Sequence, residues 1–185
     1  MVKWGVRTMT LRAGCRALVC WVSLMGWGGL ALAGAAHVHG QAVLEVALDG
    51  GELLLSLRGP QANHVGFDHA PRQAAHRQAL AAMERHVAEA SQWFLANPEA
   101  RCMVASSEHA IEREPGGRHA DVRVTVHFQC KAPEQLTHLV VMPWAAMPHL
   151  QRVQAVVVAP GGARKLTLAR PSAQAQVVLD VRGAR

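Results

Sequence analysis

Residues 41–58 read QAVLEVALDGGELLLSLR, two apolar-rich runs joined by Asp49-Gly50-Gly51. Leu44, Val46 and Leu48 fall on one face of the first run, and Leu53, Leu55 and Leu57 on one face of the second. Asp-Gly between two such runs is a strong short-range hairpin signal. Gly59-Pro60 then closes the second strand. A second segment carries the same message: in 119–131, Val122, Val124, Val126, Phe128 and Cys130 alternate against His119, Asp121, Arg123, Thr125, His127 and Gln129. Further β-rich runs are expected at 102–111, 137–142, 152–159, 164–169 and 174–181, punctuated by Pro115-Gly116-Gly117, Pro143, Pro148 and Gly161-Gly162.

One segment breaks the pattern. Pro71 suits the first residue of a helix, and no breaker follows until Pro98. Leu80, Met83, Val87 and Phe94 lie at helical spacing, so a long amphipathic helix over 72–96 is predicted to pack on the sheet. The expected class is α+β, a mostly antiparallel sheet packed by one long helix.

The chain has 185 residues, is 50% apolar and carries a formal net charge of +6. That length suits one domain with a real core. The charge is concentrated at the front. Lys3, Arg7, Arg12 and Arg16 stand in residues 1–36 without an acid. The rest holds 15 Lys and Arg against 13 Asp and Glu, or +2, scattered without a basic stripe. A nucleic-acid partner is therefore disfavoured.

Residues 1–36 read as a secretory signal. A basic stretch precedes the apolar run 17–33 and then Ala33-Gly34-Ala35-Ala36, where cleavage after Ala35 or Ala36 satisfies the small-x-small rule. An uncleaved anchor is the alternative, but 17 residues with Gly26, Gly28 and Gly29 make a poor permanent span. The expected organisation is a signal over 1–36 and a single exported domain over 37–185, without stable membrane insertion. Cys15 and Cys20 leave with the signal, so Cys102 and Cys130 remain. In an oxidising compartment such a pair reads as a disulfide, contributing roughly 3–4 kcal/mol in the chain-entropy model. A thiolate metal or redox pair would want C-x-x-C spacing.

Histidine is the compositional anomaly: there are 11, all beyond residue 36. Imidazole is the commonest side-chain metal ligand and titrates near neutrality. In His37-Val38-His39, the two rings project to one side of an extended chain and can share an ion. If cleavage follows Ala36, His39 is third from a free amine, a nitrogen set that favours Cu2+ or Ni2+. A solvated tail is the plain alternative. His119 and Asp121, two apart on a polar strand face with His127 beyond, can chelate zinc or simply face water. His64 and His69 flank Gly66-Phe67-Asp68, a turn that reads as anchoring Phe67 in the core while Asp68 holds a neighbouring amide. His86 and Glu89 read as a surface pair, and Glu108-His109 adds candidate ligands. No catalytic motif is present, neither G-x-S-x-G nor H-E-x-x-H nor a phosphate loop, so catalysis is not expected.

The stretches AHVHGQAVLEVALDG (36–50), GFDHAP (66–71), Cys102 and HADV…FQC (119–130) resemble the ZrgA-like family, a periplasmic, zinc-associated family classed as a domain of unknown function. The resemblance implies export by a Gram-negative cell, zinc binding at His37, His39, His69 and His119, and pairing of Cys102 with Cys130. It also marks a departure. Many members carry a long His/Asp/Glu-rich tract between the two cysteines, whereas 106–118 here holds only Glu108, His109, Glu112 and Glu114. The expectation is a periplasmic zinc-binding accessory protein that supports zinc uptake. Its first-choice ligands are His37, His39, His119 and Asp121, followed by His69, and its partner is an inner-membrane metal ABC importer. The rivals are a protein-interaction module docking a transporter and an N-terminal Cu2+ binder.

Overall fold

The computed structural model describes residues 38–116 and 118–171 in full, together with the backbone of 177–180. These residues belong to one compact unit, Ala35–Arg185. The segment read as a signal and His37 lie outside the described residues.

The predicted hairpin forms β1 (Gln41–Asp49) and β2 (Glu52–Pro60). Its register pairs Leu44 with Leu57, Val46 with Leu55 and Leu48 with Leu53, so both leucine-rich faces lie on one side of the sheet. Gly50 turns the corner at φ +53°, a left-handed conformation that glycine adopts without steric cost. Next come the single turn α1 (Ala62–Val65), the helix α2 (Ala74–Ala88) and the short strand β3 (Phe94–Ala96). The remaining strands are β4 (Cys102–Arg113), β5 (Ala120–Cys130), β6 (His138–Val141), β7 (Arg152–Ala159), β8 (Gly162–Ala169) and β9 (Val177–Asp180).

Six strands form one sheet in the order β4-β5-β2-β1-β7-β8, and three form a second in the order β3-β6-β9. Every pairing is antiparallel except β1 with β7. The inner face of the large sheet buries Leu44, Val46, Leu53, Leu55, Leu57, Val122, Val124, Val126 and Val153. Phe94, Leu139, Val141, Trp144, Met147 and Leu150 close over that face and complete one continuous core. At roughly 25 cal/mol per Å2 of apolar area removed from water, this core is the main stabilising term.

The helix differs from expectation. It is 15 residues long, begins three residues after Pro71 and buries only Met83 and Val87. The Glu89 N–H turns back to the carbonyls of His86 and Val87, and Ala90–Trp93 tightens into a 3-10 turn. Phe94 therefore leaves the helical stripe and pairs with Val141 in the small sheet, while Trp93 O accepts from Met142 N at 2.8 Å. Burying Trp93 and Phe94 against β6 outweighs a helical periodicity that is locally acceptable. Apart from that, the class is as expected: mostly β-structure, with a disulfide.

The disulfide joins Cys102 to Cys130 directly across the β4–β5 pair, with Cα atoms 3.8 Å apart. Among the described residues no helix is long and apolar enough to cross a membrane.

Candidate functional site

Strand order determines which residues meet. β5 and β1 flank β2 and both run antiparallel to it. The residues that enter β1 and β5 and the residues that leave β2 therefore lie at one edge of the sheet. His39 precedes β1, His119 precedes β5, and α1 follows β2.

Asp68 joins them. Gly66, at φ +81°, ends α1 and turns the chain back over it. Asp68 Oδ1 then accepts the Ala62 N–H at 2.7 Å, one of the amides that a helix start leaves without an intrahelical partner. Its Oδ2 lies 2.7 Å from His39 Nε2 and 3.5 Å from His119 Nδ1. The carboxylate is buried, with 5% side-chain exposure, whereas His39 and His119 are 64% and 43% exposed. A buried carboxyl oxygen is thus roofed by two imidazoles that water and ions can reach.

The same turn holds the backbone that carries His39. Asn63, 1% exposed, accepts the Gly40 N–H at 2.8 Å and donates to Gln41 O at 2.7 Å. Gly59 leaves room for this clamp, because a Cβ there would stand 3.0 Å from Asn63 Nδ2 and 3.0 Å from the Ala42 Cβ.

The other expected ligands are placed elsewhere. β5 begins at Ala120, so His119 stands just ahead of the strand, with its Nδ1 toward Asp68. Asp121 Oδ2 is held by Arg58 Nη2 at 2.8 Å on the outer sheet face. There Glu112 accepts two bonds from Arg123, at 2.8 and 3.3 Å. Those bonds hold the Glu112 carboxyl below the usual range and raise the Arg123 guanidinium. An open groove of about 320 Å3 beside them is lined by Val38, Val43, Glu45, Arg58, Asp121 and Arg123, among others. His69 donates Nδ1–H to Ala70 O at 2.8 Å, and His127 pairs with Glu52. Phe67, expected to anchor in the core, is only half-buried and stacks on His69 and His76. Among the described residues His64 is the one histidine sealed in the interior, and burial pushes its pKa down to about 4, against a bond to Ala146 O.

The sequence reading assigned Asp68 to a neighbouring amide, which it does hold, but missed its second oxygen. The available signal was a carboxylate inside a turn flanked by two histidines. Two imidazoles and one carboxylate form a donor set suited to zinc. Among the described residues, no group of three or more His, Cys, Asp or Glu already stands spaced to hold a metal ion. The His39–Asp68 hydrogen bond must open before an ion can enter.

No curated protein matches the chain. Residues 36–177 match the family described as ZrgA family zinc uptake protein, a span that includes His39, Asp68, His119 and both disulfide cysteines, and the chain belongs to that family.

Proposed function

We propose that this is an exported, non-catalytic zinc-binding protein that captures Zn2+ and supports its uptake, passing the ion to an inner-membrane metal importer. The observation that carries the reading is the meeting of His39 Nε2 and His119 Nδ1 on one oxygen of buried Asp68. Zinc displaces the proton shared by His39 and Asp68 and takes the three groups as ligands. His37, two residues before His39, supplies a fourth imidazole, or water does. Family membership supports the choice of metal. The Cys102–Cys130 disulfide supports residence in an oxidising compartment such as the periplasm. Asp121, neutralised by Arg58, is a poorer ligand than Asp68.

The test is a calorimetric zinc titration of chelator-stripped protein beside His39→Ala/His119→Ala. One tight equivalent that the double variant loses is the expected result. Equal affinity in both proteins would remove the site.

A second reading has its own observation. Leu54 of β2 and Val158 of β7 are exposed and flank exposed Ala47 of β1 on the outer face, a small apolar patch suited to docking a transporter. Retained binding to an importer after the zinc ligands are removed would favour it.

A further inference from the structure

Between Gly66 and α2 three rings converge. Phe67 stacks on His69 with centroids 5.0 Å apart and planes 25° apart, and on His76 at 4.4 Å and 30°. His69 and His76 are 5.1 Å apart, centroid to centroid. Two imidazoles on one tetrahedral zinc, with Zn–N of about 2.0–2.1 Å, set their centroids about 5 Å apart.

The hydrogen bonds add a second observation. A carbonyl oxygen only accepts, so the bond to Ala70 O fixes the His69 proton on Nδ1 and leaves a lone pair on Nε2. A backbone carbonyl at the far nitrogen is the usual orienting partner of a ligating histidine. The side-chain amide nitrogen of Gln73 lies 3.0 Å from His76 Nε2 and the Arg72 N–H approaches Nδ1 at 3.4 Å; a neutral ring accepts only one of these donors, and the shorter contact puts the His76 lone pair on Nε2. The Gln73 contact is exposed, so an arriving cation can displace that amide.

We propose that His69 and His76 form a second, weaker site for a divalent transition-metal cation, its coordination completed by water. The site stands on ring geometry at the entrance to α2 and does not depend on zinc binding at Asp68. Phe67 keeps the two rings together before the ion arrives.

The experiment counts zinc equivalents by native mass spectrometry and calorimetry, using zinc chloride as the probe. The wild-type protein, His76→Gln and His39→Ala/His119→Ala are compared, with circular dichroism to check folding. The wild type is expected to take two equivalents, of which His76→Gln loses the weaker and the double variant keeps it. A His69 side-chain 15N resonance that shifts with the weaker equivalent in the wild type, and not in His76→Gln, supports the pairing independently. A wild type that takes only the weaker equivalent, and loses it in His76→Gln, would sink the Asp68 site and leave this one standing. Retention of the weaker equivalent by folded His76→Gln would overturn the inference.

Discussion

Asp68 divides its oxygens between two tasks, and substitutions can separate them. Oδ1 satisfies the Ala62 amide, and Oδ2 faces His39 and His119. Asp68→Asn keeps an oxygen for the amide but removes the anion, so zinc affinity is expected to fall about 10-fold or more with a smaller loss of stability. Asp68→Ala also strands a buried N–H, and a further 1–3 kcal/mol, approximately, should disappear from urea unfolding. Matching stability losses in the two variants would contradict this division. His64 yields a prediction of different origin. The unfolded chain protonates it near 6.5, while the folded protein resists down to about 4. Its contribution is therefore complete above about pH 6.5 and is lost as pH falls toward 4, about 3 kcal/mol in all. His64→Leu should flatten the stability–pH curve across that window, and an unchanged slope would exclude His64 as its source.

The β4–β5 hairpin is the element most open to experiment. Its disulfide spans a sequence separation of 28 and sits across a register pair. Removing it with Cys102→Ala/Cys130→Ala is expected to cost about 3–4 kcal/mol in the chain-entropy model, measured as a shift in the urea midpoint. At the β2–α1 junction, Gly59→Ala forces a methyl against Asn63 and Ala42. The expected loss is about 1–3 kcal/mol, together with weaker zinc binding, because the clamp on Gly40 and Gln41 carries His39. Normal affinity in a destabilised Gly59→Ala would separate the clamp from the site. The β1–β2 hairpin and the strand β5 were legible in the sequence, since Asp-Gly and period-two alternation are local signals that the fold has no reason to override. The end of α2 was not legible. Residues 89–94 contain no breaker, and only the partner strand β6 makes an extended Phe94 preferable to a helical one.

At the scale of the whole molecule, the proposed zinc binding links to folding by mass action. An ion that binds the folded chain and not the unfolded one stabilises it by about 2.7 kcal/mol at 100 times its dissociation constant. A thermal midpoint that rises with added zinc in the wild type and stays fixed in His39→Ala/His119→Ala is the expected pattern; a rise of equal size in both would place binding elsewhere. The amino-acid sequence by itself determined the β-rich class, the β1–β2 hairpin, the strand at β5 and the two cysteines that pair. It also marked histidine as the residue type to follow. These are properties of neighbours along the chain, or of composition. Which histidines meet was decided only by tertiary structure. His39, Asp68 and His119 are far apart in sequence, and they meet because β2 lies between two antiparallel partners whose entrances share its exit edge. Asp121, two residues from His119, went instead to Arg58, because the pleat of β5 turns it toward the outer face. Sequence spacing constrains partners along one strand, whereas strand order constrains partners across the sheet, and the candidate site depends on the second.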